Sequence, residues 1–137
     1  MKIKLDEGAL IPKRAHPTDA GLDLFSPVDT VVWPYSREFI DTGVHAEIPH
    51  GCVGLLTSKS GLMRDMGITS SGTIDEGYTG SIGAVLINHG NKVVKIRRGQ
   101  KITQLVILPC MTQEIEVVDE LSSSDRGGNG FGSTGEF

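Results

Sequence analysis

Apolar and polar side chains alternate along this chain in short runs, and Gly, Pro, Asn or Asp closes each run. Leu22, Leu24 and Val28 alternate with Asp23, Phe25 and polar residues. Val31-Val32-Trp33 stops at Pro34. Gly43 to Ile48, Cys52 to Thr57 and Ser81 to Asn88 are further short runs of this kind. Such runs predict strands. Ile102 to Leu108 is almost continuously apolar, which predicts a strand covered on both faces. Asn88-His89-Gly90-Asn91 reads as a turn between two strands. Helical periodicity is nearly absent, and one short helix is predicted from Leu62 to Met66, after Ser60-Gly61. The predicted class is all-β, a jelly roll, sandwich or closed barrel. No repeat or linker divides it, so one β domain over residues 1–120 is predicted, followed by an arm.

The arm, residues 121–137, has a different composition. Five of the ten residues from Arg126 to Gly135 are Gly. Such a segment builds no core of its own. A plain solvated tail has little use for Arg126, Phe131 and the Ser133-Thr134 pair. Together they suit closure over a phosphorylated ligand: a cation, a stacking ring, and N–H and hydroxyl donors for phosphate oxygens.

With 137 residues the chain needs no disulfide or metal to fold, and 38% hydrophobic with 22% charged residues is ordinary for a globular protein. The net charge of -4 argues against non-specific binding to a nucleic acid backbone, though not against a nucleotide site with a few local cations. Cys52 and Cys110 each lie in an apolar run and read as buried free thiols, which suits a reducing compartment. The N-terminus lacks the apolar stretch of a secretory signal, and no run approaches a membrane span. A cytoplasmic protein is expected. His16, His45, His50 and His89 show no zinc spacing with the cysteines, and no G-x-S-x-G elbow is present.

Four internal segments carry candidate chemistry. Gly72 to Gly83 has the shape of a β-hairpin around Asp75-Glu76-Gly77. Asp and Gly there satisfy turn chemistry alone. They also suit a pocket wall, in which glycines admit a planar ligand, Tyr78 offers a flat face and Asp75 orients and deprotonates a water. Thr57 to Leu62 combines Lys59 with hydroxyls and Gly61, as an anion cradle or as an ordinary turn with a serine N-cap. Its spacing is not that of a P-loop. Asp23 between Leu22 and Leu24 reads first as an outward-facing strand residue. Gln104, inside the apolar run, needs a hydrogen-bond partner: a neighbouring strand, a ligand or a second subunit.

Taken in order, Ala20 to Ser26, Ser58 to Leu62, Gly72 to Gly80, Arg98 to Leu105 and Arg126 to Gly135 resemble the five motifs of the trimeric dUTP pyrophosphatases (dUTPases). The resemblance spans about residues 15–135. It implies a β jelly roll, a homotrimer with active sites at the subunit interfaces, and an arm from one subunit closing over the site of another. It implies hydrolysis of dUTP to dUMP and pyrophosphate, which keeps uracil out of DNA and supplies dUMP for thymidylate synthesis. By that resemblance Asp75 is the general base for attack of water on the α-phosphorus. Gly72, Thr73, Ile74 and Gly83 form the uracil wall, with Thr69 nearby, and a tight hairpin excludes a 5-methyl group. Tyr78 stacks on deoxyribose, and Phe131 covers the uracil. Lys59, Ser60, Gly61, Arg126, Gly132, Ser133 and Thr134 bind phosphates. Mg²⁺ is the implied cofactor, held mainly by phosphates, with Asp23 reached through water and Gln104 acting through a phosphate or at second remove. Lys59 departs from the family's usual Arg, which keeps the charge and loses the bidentate fork. Thr69 stands where many members have Asn. The alternatives are a dCTP deaminase on the same fold and a dUTP-sensing interaction protein. No insertion that would serve as a dedicated partner surface is visible.

Overall fold

Most breaks in the alternation at Gly, Pro or Asn are turns, although Gly54 and Gly72 lie inside strands and Gly61 inside the one helix. The computed structural model describes residues 1–130. The elements follow in the order β1 (Ile3–Leu5), β2 (Gly21–Phe25), β3 (Thr30–Val32), β4 (Arg37–Asp41), β5 (Val44–Ala46), β6 (Cys52–Ser58), α1 (Ser60–Met66), β7 (Ile68–Ile74), β8 (Gly83–Asn88), β9 (Val94–Ile96) and β10 (Lys101–Pro109). Six strands form one antiparallel sheet in the order β2-β10-β6-β7-β8-β4, and β1-β5 and β3-β9 pair separately. This is the all-β, jelly-roll class expected.

The apolar run at residues 102–108 lies in β10, flanked by β2 and β6. Ile102, Thr103 and Leu105 are buried, Gln104, Val106 and Ile107 part-buried and Leu108 exposed, so the expected cover on both faces holds at the start of the run and not at its end. Ile102 and Leu105 are both fully buried and serve two different core clusters. One cluster gathers Val32, Ile40, Ile68, Leu86 and Ile96. The other gathers Leu24, Val44, Leu56, Ile74 and Ile82. Small aliphatic side chains dominate both.

Three strands lie outside the expected runs. β4 reads Arg-Glu-Phe-Ile-Asp, and only Ile40 of it is buried. It is an edge strand, so charged residues are tolerated on its free side. β1 and β9 are three residues each, too short for a periodic signal. β2 ends at Phe25, before Pro27, and does not extend to Val28. The helix is two residues longer than expected and ends at Gly67, whose φ of 66° gives the left-handed cap. Its N-cap is Lys59, without a side-chain cap bond, rather than a serine. The Asn88–Asn91 turn forms as expected, with buried Asn88 donating to the Val32 and Lys92 carbonyls and accepting from the Gly90 N–H.

The buried-thiol expectation fails for Cys110, which is exposed; Cys52 is part-buried, and both are free. The Cys110 N–H donates to the Gly51 carbonyl. Residues 111–130 contain no strand or helix and are exposed throughout, with Met111, Ile115, Val117 and Leu121 all more than four-fifths accessible. Among the described residues no helix is long and apolar enough to cross a membrane.

Candidate active site

The expected hairpin around Asp75 is not tight. β7 pairs with β8 only through Ile68, Thr69 and Ser70 with Asn88, Ile87 and Leu86. Beyond Ser70 the two strands part. Residues 71–74 pair with β6, while residues 83–87 pair with β4. Among the described residues no backbone hydrogen bond joins 71–74 to 81–85. The result is a splayed slot. One wall carries the backbone of Gly72, Thr73 and Ile74, the other that of Gly83. Each wall presents N–H and C=O groups that the opposite wall leaves unpaired, so the slot can take a planar ligand with its own donors and acceptors.

The mouth of the slot is the segment Asp75–Ser81. The Tyr78 N–H donates to the Asp75 carbonyl at 3.2 Å, and Gly77 takes a φ of 83° to close that turn. Asp75 is exposed, and its carboxylate takes no hydrogen bond among the described residues. Its neighbour Glu76 is held instead. Glu76 Oε1 accepts from His50 Nδ1 at 2.7 Å and Oε2 from the Gly51 N–H at 2.9 Å. The bond from His50 holds the Glu76 carboxyl below its usual range, and the same bond raises His50. Tyr78 lies over Gly80, where any Cβ would overlap its ring and hydroxyl, and its hydroxyl donates to the Ser81 carbonyl at 3.0 Å. Gly83 likewise lies under the ring of Phe39, which any Cβ at that position would strike.

A second group gathers where β2, β10 and the end of β6 meet. Asp23 is 2% exposed, not outward-facing. Its Oδ1 accepts from Lys59 Nζ at 2.5 Å and its Oδ2 from Lys101 Nζ at 2.7 Å. Burial pushes its carboxyl up, but the bonds from Lys101 and Lys59 outweigh that and hold it below the ordinary value. Gln104 pairs with Asp23 on one side and Thr57 on the other. Its Oε1 accepts from Lys59 at 3.5 Å and its Nε2 donates to the Ser58 carbonyl at 3.4 Å, so the neighbouring strand supplies its partner. Next to it, Ser70 Oγ donates to Thr103 Oγ1, which donates to the Thr57 carbonyl. Two cations on one carboxylate leave an excess positive charge. Ser60 and Gly61 are exposed beside it, and a Cβ at Gly61 would meet nothing. The arrangement suits an anion.

The two groups do not meet within one chain. Asp75 follows Ile74, which pairs with Gly54, while Lys59 follows Ser58 at the far end of the same strand. Continuing that register puts Asp75 level with Val53, six positions from Lys59, and at about 3.3 Å per residue the separation is roughly 20 Å. Thr69 sits at the closed end of the slot, its hydroxyl 2.7 Å from His89 Nε2. Arg126 is exposed and its Nε donates to the Asn129 carbonyl, within a turn that touches neither group through a hydrogen bond. Phe131, Gly132, Ser133 and Thr134 lie outside the described residues. Lys101, Phe39, Glu76 and His89 were not among the sequence candidates. Lys101 had a signal, two residues ahead of Thr103 on the strand facing Asp23; the others carry none that spacing reveals.

Asp23 has no free carboxylate oxygen, and no cluster of His, Cys, Asp or Glu suited to a metal exists among the described residues. A protein cage for magnesium does not fit these residues. A cation carried by a phosphorylated ligand does, since it needs few protein ligands.

A dUTPase family model matches residues 7–135. The deoxyuridine 5'-triphosphate nucleotidohydrolase of Clostridium novyi (strain NT) is 46% identical over 135 residues, 96% of this chain and 95% of that protein. The Staphylococcus bacteriophage 80alpha dUTPase, solved with dUPNHPP, superposes with a TM-score of 0.90 at 36% identity, covering 98% of this chain and 97% of that one. A mutant dUTPase from phage phi11 of S. aureus, described with a structural Mg(II) ion, superposes with a TM-score of 0.80 at 33% identity, covering 87% and 96%.

Proposed function

The chain belongs to the dUTPase family, and from that premise we propose that it hydrolyses dUTP to dUMP and pyrophosphate at sites built between copies of itself. The separation of Asp75 from Lys59 carries this reading. A base and a phosphate cradle at opposite ends of one strand serve a single substrate only if they come from different subunits. A closed three-fold assembly, as the family resemblance implies, meets that need. The exposed apolar side chains of residues 111–121 give such an assembly something to bury.

In this reading the uracil enters the splayed slot. The unpaired backbone of Gly72, Thr73 and Gly83, with Ile74 beside them, meets its donor and acceptor edge. Cytosine presents the reversed pattern and leaves buried polar groups without partners, which rejects it strongly. Thr69 bounds the closed end. Tyr78, propped over Gly80, stacks on the deoxyribose and leaves no space for a 2′-hydroxyl. Lys59 and Lys101, oriented by Asp23 and Gln104, face the phosphates of a neighbouring site together with Ser60 and Gly61. Arg126, Phe131, Gly132, Ser133 and Thr134 close over the ligand from a further copy.

Asp75 accepts a proton from a water, whose oxygen bonds to the α-phosphorus as the bond to the bridging oxygen of the leaving pyrophosphate breaks. The Asp75 carboxylate, free of other hydrogen bonds among the described residues, is available to orient that water. A magnesium ion bound together with the triphosphate would offset its negative charge. The chain's own cations add to that through fixed, pre-oriented ammonium groups.

The test is pyrophosphate release from dUTP, dTTP, dCTP and UTP, with Mg²⁺ and with EDTA. Only dUTP should turn over well. Asp75→Asn should lower kcat by about 10³-fold, within the range for loss of a general base, while dUTP still binds. Ammonia release from dCTP would overturn the assignment in favour of a deaminase.

A further inference from the structure

Both ring nitrogens of His45, on β5, meet groups that only accept hydrogen bonds. Nδ1 lies 2.7 Å from the Thr79 carbonyl oxygen, and Nε2 lies 3.0 Å from Asp6 Oδ2. A neutral imidazole has one N–H and can donate to only one of them. Satisfying both takes the imidazolium. The His45 side chain is 17% exposed and that of Asp6 47%, with an open cavity against His45 and Thr79, so the ring is held by these two direct bonds at a site that water can reach. Asp6 is itself fixed, its N–H donating to the Gly43 carbonyl at 2.9 Å.

The charges around this ring are few. From β1 and the turn after it come Lys4, which pairs with His45 and reaches Asp6 at 3.7 Å, and Asp6 itself. Lys2 and Glu47 form their own ion pair one step further along the same two strands. The segment after Asp75 presents only the Thr79 carbonyl to His45. Glu76 is bound on the other side, to His50 and Gly51.

Thr79 immediately follows Tyr78, and Tyr78 leans on Gly80 and Ser81. We propose that His45 is a positioning residue for Tyr78: the bridge from Asp6 through the charged ring to the Thr79 carbonyl holds the Tyr78 ring in place, so selectivity for deoxyribose over ribose requires His45 to carry both protons. The inference rests on the sugar-facing role given to Tyr78 above. The bond to Asp6 and then the bond to Thr79 raise His45 above its ordinary value near 6.5. The bridge is therefore complete below that value and is lost as pH rises through the folded value.

The test measures kcat/KM for dUTP and for UTP between pH 6 and 9, with ¹⁵N NMR titration of the imidazoles, in the wild type, His45→Gln and Asp6→Asn. The ratio of the two substrates cancels any pH effect on the chemical step that is common to both. In the wild type the ratio should fall by about tenfold as His45 loses its second proton, the worth of one hydrogen bond. The Tyr78 and Thr79 amide signals should move with the same midpoint. Asp6→Asn should shift that midpoint to lower pH, and His45→Gln should give a low ratio that no longer varies with pH. A wild-type ratio independent of pH, or full selectivity in His45→Gln, would overturn the proposal. Equal turnover of UTP and dUTP at every pH would instead overturn the role of Tyr78. In that case the Tyr78 and Thr79 amides still decide the His45 bridge, which is wrong if they ignore the His45 titration.

Discussion

Lys59 and Asp75 stand at opposite ends of β6: Lys59 follows its last residue, Ser58, and Asp75 follows Ile74, the partner of Gly54 near its start. The strand keeps them roughly 20 Å apart, and no side-chain rotation closes that distance.

Subunit mixing tests the consequence. Lys59→Met and Asp75→Asn chains should each assemble into inactive oligomers. Mixed after partial dissociation, they should regain dUTP hydrolysis, because some interfaces then pair an intact Asp75 from one chain with an intact Lys59 from another. No recovery in verified mixed oligomers would place both residues in a site of one chain.

Asp23 carries an acid-dependent part of the stability. Its carboxyl is held below its ordinary value, so its contribution is complete above the unfolded value near 4 and is lost as pH falls through the folded one. Asp23→Asn should cost about 2 kcal/mol at pH 7, since two lysines lose a buried, charged acceptor but keep partial access to water. Thermal melts from pH 7 down to pH 3 should show wild type and variant converging. Parallel curves would refute this account.

Gly80 is kept empty by Tyr78. Gly80→Ala would put a Cβ where the Tyr78 hydroxyl and ring now lie. The ring must move by an ångström or more, which can cost up to about 100-fold in kcat/KM. Circular dichroism should be unchanged while kcat/KM for dUTP falls more than that for UTP. An unaltered ratio would remove Tyr78 from sugar selection.

Removing residues 126–137 should leave the folded body and its oligomeric state intact, because among the described residues the last strand ends at Pro109. The reaction should slow severely for loss of the Arg126 cation and the Phe131 ring. Single-turnover assays on the truncated protein check this, and full activity would refute the closing arm.

The slot was legible only in part. Gly72, Tyr78 and Gly83 are visible as a Gly-rich hairpin signal, because turn chemistry is local. That β7 leaves β8 after Ser70 to pair with β6 is not local. It depends on which strands curl past one another, and no residue in 71–74 announces it. Asp23 shows the same limit. Flanked by Leu22 and Leu24 it reads as the polar face of a strand. Its burial follows from Lys59 and Lys101, which lie 36 and 78 positions away in the chain and arrive through β6 and β10.

The longer strand runs, the turn residues and the ordered set of five segments were set by the order of residues along the chain, since each depends on neighbours a few positions apart; β1, β4 and β9 were not. The tertiary structure alone decided the splay of the slot, the two lysines on Asp23, the His45 bridge and the distance between Lys59 and Asp75. These depend on contacts between segments far apart in the chain, and the energy of such contacts is set by how the strands pack rather than by any local pattern.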